Sequence, residues 1–212
     1  MEFTRILAIR HGETTWNQDK RLQGHLDIPL NERGHWQAAR AAAALRDEPI
    51  AAVYSSDLAR AHQTACVIAA TQGLPVQAHT GLRERHFGDF QGRTWTELEV
   101  EEPEATRAWR TRVPDFAPGG GETLLQLRER IRSVLNEIAA HHTGEQIVVV
   151  AHGGVLDMVY RLATGLELQA PRTWTVENAA INRLLWTPEG LSLVGWADSG
   201  HLDEAADDDV SA

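Results

Sequence analysis

Cysteine is almost absent from this chain: Cys66 stands alone, so no disulfide can close within it, and a reducing, cytoplasmic setting is expected. Long hydrophobic runs are missing as well. The most apolar stretch, Val148 to Ala151, is flanked by polar residues and a histidine, far short of the roughly 20 residues that cross a bilayer. No basic segment followed by an apolar run opens the sequence as a secretory leader would, and the expectation is a soluble protein. Positive charge is also scarce. The net charge of −10 disfavours nucleic acid and anionic membranes as partners, so any anion would need a local cluster of cations. Lysine occurs once, at Lys20, and the other basic residues are arginines, which makes the place of each arginine informative.

What is present is 212 residues with 42% hydrophobic content, enough for one large α/β domain and with no linker that argues for two. The apolar run Ile6-Leu7-Ala8-Ile9 ends in Arg10-His11-Gly12-Glu13-Thr14, and Val148-Val149-Val150 ends in Ala151-His152-Gly153-Gly154. Two histidines therefore stand at strand ends, where open α/β sheets bind their ligands. An imidazole backed by arginines suits phosphoryl chemistry, because neutral histidine is a nucleophile and a guanidinium fork matches phosphate oxygens.

Strands are expected at Thr4–Arg10, Ala51–Ser55, Val76–His79 and Gln146–Ala151. Helices are expected from near Asn31, with Ala38, Ala39, Ala42 and Leu45 on the inner face, and after Asp57 as a cap, with Leu58, Ala61, Ala65 and Ile68 inward until Gly73. Short helices at Trp95–Glu99 and Glu104–Arg110 precede the breaker from Pro114 to Gly121. Glu122 then opens a long helix to about His141, and Gly154–Thr164 forms another. Ala179–Trp186 and Leu191–Trp196 read as a hairpin, so the sheet should be mostly parallel with one antiparallel strand. The organisation expected is one domain over residues 1–200, a cap segment at about 86–121, and a frayed acidic tail over 201–212.

Four segments in order, Arg10 to Asn17, Tyr54 to Ala61, Leu82 to Gly88 and Ala151 to Gly154, closely resemble the histidine phosphatase superfamily, the phosphoglycerate mutase-like proteins. The resemblance implies a three-layer α/β/α fold with a small helical cap, and a phosphomonoesterase acting without metal or other cofactor on a small phosphorylated substrate. It implies His11 as the nucleophile that forms a phosphohistidine, with Arg10 and Arg60 clamping the phosphoryl oxygens and a charged His152 completing the pocket. Asn17, Gln23, Gly24 and the backbone of Gly153 are the further phosphate contacts it implies. Glu84 is the implied proton donor; the plainer alternative is a surface glutamate paired with Arg83 or Arg85. Such proteins are often dimers, which leaves a homodimer open.

Within the superfamily, the phytase and acid phosphatase branch follows its second histidine with an aspartate, whereas His152 precedes Gly153 and Gly154. Phosphoglycerate mutases share the Glu84-Arg85-His86 step, but Trp95 stands where they carry a lysine and Trp109-Arg110-Thr111-Arg112 breaks their arginine pair. They also carry a longer insertion before the helix at Glu122. The short Pro114–Gly121 connection leaves the site more open to water and favours hydrolysis over transfer, with the mutase as the alternative and a non-catalytic phospho-ligand binder as a remote one. Pro118 to Thr123 is similar to the broad-specificity and α-ribazole phosphatase-like enzymes. Trp16, Trp95, Trp109 and Phe87 either line the outer pocket or pack the cap, the latter being the usual use of large aromatics. His25, His35, His62, His141 and His142 show no metal-ligand spacing, and no metal is expected.

Overall fold

The computed structural model describes residues 3–203. The strand β1 (Thr4–Arg10) leads through the short α1 (Thr15–Gln18) to α2 (Glu32–Ala44), β2 (Ala52–Ser55), α3 (Ala59–Gln72) and β3 (Val76–Ala78). Two short helices follow, α4 (Trp95–Glu101) and α5 (Pro103–Arg110), then α6 (Leu124–Ala140), β4 (Gln146–Ala151), α7 (Gly153–Thr164), β5 (Ile181–Thr187) and β6 (Gly190–Asp198). The six strands form one sheet in the order β3-β2-β4-β1-β5-β6, with β5 alone running opposite to the other five. This is the mostly parallel sheet with one reversed strand that the hairpin pattern implied.

Alternation along the central strands explains the three layers, since successive side chains of a strand point to opposite faces. Ile6 and Ala8 of β1, with Ile147 and Val149 of β4, pack against Leu127, Ile131 and Leu135 of α6 and Val155 and Val159 of α7. Leu7, Ile9, Val148 and Val150 pack on the other face against Ala41 and Ala42 of α2 and Ala61, Ala65 and Ile68 of α3. Every residue of β4 is buried, as expected of a strand covered on both faces.

Three local expectations are corrected. In α2 the inward alanines are Ala38, Ala41 and Ala42, and Ala39 faces solvent; the alanine-rich run has no bulky residue to fix its phase. Asp57 does not cap α3, because its carboxylate holds Arg83 through a two-pronged pair, Nε to Oδ1 at 2.8 Å and Nη2 to Oδ2 at 2.5 Å. The exposed helix amide of Ala59 instead donates to Asp27 Oδ1 at 2.7 Å, a cap delivered from a distant loop. Glu122 lies outside α6, which Thr123 caps in a box with Gln126, and its carboxylate accepts from Arg130 Nε at 2.8 Å and Nη2 at 2.6 Å. The expectation for the acidic tail falls largely on residues 204–212, outside the described residues.

The segment from 86 to 121 packs around its own apolar knot of Phe87, Phe90 and Leu98, with Trp95, Trp109 and Phe116 against it. Trp109 meets Phe87 edge-on at 5.0 Å, and Arg85 stacks over its ring at 3.9 Å. Trp109 therefore packs the cap, while Phe87 and Trp95 both pack it and face the cavity described below. Trp16 belongs to neither group; it covers Gly92. Among the described residues no helix is long and apolar enough to cross a membrane.

Candidate active site

Strand register brings the two histidines together. Arg10 pairs with Ala151 at the ends of β1 and β4, so His11 and His152 occupy the next rung, and His11 N donates to the Ala151 carbonyl at 3.0 Å. Their buried rings lie 5.2 Å apart and are tilted by 58°. His11 Nδ1 is 2.7 Å from the Gly12 carbonyl. A carbonyl only accepts, so Nδ1 carries the proton and Nε2 keeps its lone pair toward the cavity. The backbone is fixed on both sides: Asn178 Nδ2 donates to the His11 carbonyl at 2.8 Å, and Gly12 N donates to Thr64 Oγ1 at 3.0 Å.

Two guanidiniums are held partly by carbonyls. Arg10 Nη1 donates to Val176 O at 2.7 Å, and Arg60 donates to Leu26 O and Gly24 O at 2.9 and 2.8 Å. Their Nε atoms are buried without a partner, and so are both ring nitrogens of His152 and Gln23 Oε1. Buried polar groups are seldom left unpaired, so several around one space make it suited to a polar ligand. Arg10, Arg60 and Gln23 line a cavity of about 320 Å³ beside His11, and its wall also carries Arg21 and Arg172 against a single carboxylate, Glu84. A local positive field thus exists within a chain of net charge −10.

Glu84 is buried and is not paired with its neighbouring arginines. Its Oε1 accepts from Arg85 N at 2.7 Å, and its Oε2 accepts from Gly154 N in the first turn of α7 at 2.9 Å. A Cβ on Gly154 would overlap that carboxylate, so glycine there makes room for it. The segment carrying Glu84 is braced by Arg130, whose Nη1 donates to the Gly81 and Arg83 carbonyls at 2.8 and 2.9 Å, and by His25, whose Nε2 donates to the Glu84 carbonyl at 2.8 Å. The surface-pair alternative for Glu84 is thereby overturned: Arg83 is engaged by Asp57, and Arg85 by the carbonyls of Glu122 and Phe116.

Burial holds His11 well below the ordinary imidazole range, and the charges of Arg60 and Arg10 add to the effect. His152 is lowered in the same way by burial, Arg60 and His11. Burial and these neighbouring cations favour the neutral ring at His152, where the resemblance implies a charged one. Burial also lowers Arg10 and takes Arg60 to about 10, so both remain cations at neutral pH. The histidine shifts fix a pH dependence of stability. Below about pH 6.5 the unfolded chain binds protons at both positions that the folded chain does not, so stability falls as pH falls. Urea unfolding at pH 5.5 is expected to give a stability about 2–3 kcal/mol below that at pH 7.5 from these two groups. Equal stabilities would refute the neutral, buried assignment.

The remaining expected residues also meet at this cavity. Asn17 lines it, its Oδ1 occupied by the Thr14 amide and hydroxyl at 3.1 Å, which leaves its Nδ2 as the group available to a ligand. Gln23 presents its unpartnered amide. Gly24, at φ +53° and tight against the Gln91 side chain, contributes the carbonyl that holds Arg60. Gly153 opens α7 with its amide at the helix start. Thr64, Asn178, His25, Arg130 and Arg172 were not expected. They come from helix interiors and connecting loops and carry no local motif. Among the described residues no cluster of three or more His, Cys, Asp or Glu could hold a metal ion.

The family model of the histidine phosphatase superfamily (branch 1) matches residues 6–199. The metal-independent phosphoserine phosphatase of Arabidopsis thaliana is 42% identical over 204 residues, covering 95% of this chain and 84% of that protein. Phosphoglycerate mutase-like protein 4 of the same plant is 41% identical over 208 residues, covering 96% of this chain and 89% of that one. The native structure of mycobacterial glucosyl-3-phosphoglycerate phosphatase superposes with a TM-score of 0.84 at 33% identity, covering 93% of this chain and all of that one.

Proposed function

The chain belongs to the histidine phosphatase superfamily (branch 1), and from that membership we propose that it hydrolyses a small phosphorylated metabolite, without metal, through a phosphohistidine on His11. It is a phosphatase, a phosphoric monoester hydrolase of that family, as similar chains such as the phosphoserine and glucosyl-3-phosphoglycerate phosphatases are. The observation that carries the mechanism is the ring of buried, unpartnered polar atoms on Arg10, Arg60, His152 and Gln23 around the free Nε2 of His11. A phosphoryl group set there would satisfy those donors, with the Gln23 amide turned to present its nitrogen.

In the first half-reaction the Nε2 lone pair attacks phosphorus and the bond to the ester oxygen breaks, while the Glu84 carboxyl gives its proton to the departing alkoxide. In the second, the Glu84 carboxylate takes a proton from water, the hydroxide attacks phosphorus, and the bond to Nε2 breaks. Inorganic phosphate leaves, and His11 and Glu84 return to their starting states. Arg10 and Arg60 stabilise the charge on the non-bridging oxygens, the part that metal ions play in other phosphoryl-transfer enzymes. Asn17, Gly24 and Gly153 border the same oxygens. The cytoplasm is the compartment we assign, on the strength of the single cysteine.

The mutase reading has weaker support. The cap closes with only the Pro114–Gly121 connection before Thr123, so little encloses a phosphoenzyme against water. Incubated with p-nitrophenyl phosphate in EDTA, the enzyme should release phosphate at an undiminished rate. Given 3-phosphoglycerate and a trace of 2,3-bisphosphoglycerate, it should release free phosphate faster than it forms 2-phosphoglycerate. Loss of activity in EDTA would overturn metal independence, and the reverse product order would make the chain a mutase.

A further inference from the structure

The last turn of α5 is closed by an arginine where glycine is the usual residue. Arg112 N donates to Trp109 O at 2.9 Å and Val113 N to Ala108 O at 3.0 Å, the bond pair that ends a helix when the residue after its cap turns left-handed. Arg112 makes that turn at φ +56°, a conformation that strains any residue with a Cβ and that glycine adopts freely. Elsewhere the chain follows the rule: α3 and α7 end on Gly73 at φ +65° and Gly165 at φ +70°. Backbone strain persists only where its surroundings hold it, so the side chain of Arg112 has to account for the exception.

That side chain leaves the cap and grips the body at two points. Its Nε donates to Leu168 O at 2.5 Å and its Nη2 to Asp157 Oδ2 at 2.8 Å. Both anchors are themselves fixed. Asp157, three residues beyond Gly154 on α7, also accepts from buried Arg161 Nε at 3.2 Å, and Arg161 Nη2 holds the Ala170 carbonyl at 2.9 Å. Asp157 Oδ1 is buried without a partner, so loss of Arg112 would leave this carboxylate to Arg161 alone. The opposite edge of the cap is tied by the backbone, through Leu22 N to Arg93 O at 3.0 Å and Gly92 N to Leu22 O at 2.7 Å.

Between those two edges the cap is not close-packed on the body. A cavity of about 160 Å³ separates Arg85, Phe87 and Trp109 from Leu124, Leu127 and Gly154. Interlocked side chains fix the distance between two layers, but across a void that distance is set by whatever spans it. Arg112 and Asp157 line this void and are bonded to each other. Trp109, three residues before Arg112, meets Phe87 edge-on at 5.0 Å, and Phe87 also lines the cavity beside His11. One ring pair thus links the arginine to the place of the substrate.

We infer that Arg112 is a positioning residue: it holds the cap at its distance from α7 and so sets Phe87 against the alcohol half of the substrate, an inference that rests on the phosphatase reading above. Its two bonds go to Asp157 and Leu168, and neither reaches the donors around His11. Binding of the alcohol half should therefore depend on Arg112, and phosphoryl transfer should not.

Arg112→Gly removes both bonds and relieves the left-handed strain. With p-nitrophenyl phosphate its KM should rise about ten-fold, while kcat and the inhibition constant of inorganic phosphate stay within about two-fold of wild type. Arg112→Ala removes the bonds and keeps the strain, so it should share that KM and unfold at lower urea. Arg112→Lys, a point charge in place of a fork, should fall between wild type and the glycine variant in KM. A fall in kcat with KM unchanged, a phosphate inhibition constant that weakens as much as KM, or KM values that follow the urea midpoints instead of the bonds would overturn the inference. If Arg112→Gly does not fold, the lysine variant decides by the same split. Calorimetry on His11→Ala, alone and combined with Arg112→Gly, compares p-nitrophenyl phosphate with inorganic phosphate without turnover. If the wild-type enzyme leaves the ester intact but the combined variant binds the ester more weakly and phosphate equally well, the phosphatase reading fails and the positioning role stands. If hydrolysis is normal and Arg112→Gly keeps the wild-type KM, only the positioning role fails.

Discussion

His11→Ala is expected to lower kcat by about ten-thousand-fold or more and to abolish the acid-labile phosphoenzyme that rapid quenching of the wild-type enzyme should trap. His11 is the one histidine of the pair whose ring is oriented by the backbone: the Gly12 carbonyl 2.7 Å from Nδ1 commits the proton to that nitrogen and the lone pair to Nε2. His152, whose two ring nitrogens are both unpartnered, has no such constraint and is suited to donate rather than attack. His152→Ala should therefore slow turnover and still leave a phosphohistidine to be trapped. A label that survives in His11→Ala and disappears in His152→Ala would exchange the two roles. Burial and two nearby arginines hold His11 neutral, so its nucleophilicity should persist below the pH at which an exposed histidine is protonated.

The parts of this site readable in the sequence are those set by short-range chemistry. A histidine that closes an apolar strand must emerge at the sheet edge, and two such strands paired in parallel bring their histidines together; β1 and β4 do so with Arg10 opposite Ala151. Glu84 was readable only through the resemblance, because no periodicity distinguishes it from Arg83 and Arg85 around it. What escaped is what depends on long-range closure. The cap of α3 comes from Asp27, 32 positions before Ala59, and the brace on the His11 carbonyl comes from Asn178, 167 positions after it. Neither has a local partner that would announce it. Arg172 escaped for the same reason, since its place at the rim follows from Arg112 and Arg161 gripping the carbonyls around it. The exposed Ala39 is a different failure: helical phase cannot be read where one side chain repeats.

Glu84→Gln should separate the two half-reactions. A substrate with an alkoxide leaving group needs the proton that Glu84 holds, so phosphoryl transfer from 3-phosphoglycerate should fall by about a hundred- to ten-thousand-fold. p-Nitrophenolate leaves without a proton, and its transfer to His11 should continue. The second half-reaction then stalls for want of a base to take a proton from water. The variant should release a burst of p-nitrophenol equal to the enzyme present, followed by a slow steady state, with phosphohistidine accumulating. The geometry also places a cost on this variant. Both carboxylate oxygens accept backbone amides, from Arg85 and Gly154, and the amide nitrogen of glutamine can only oppose one of those donors. About 1–3 kcal/mol of stability should be lost on that account, readable from the urea midpoint and separable from the chemistry because the burst persists in the folded fraction. An absent burst in protein that remains folded, or equal losses on both substrates, would remove Glu84 from proton transfer and leave it as a brace between the Glu84–Arg85 turn and the start of α7.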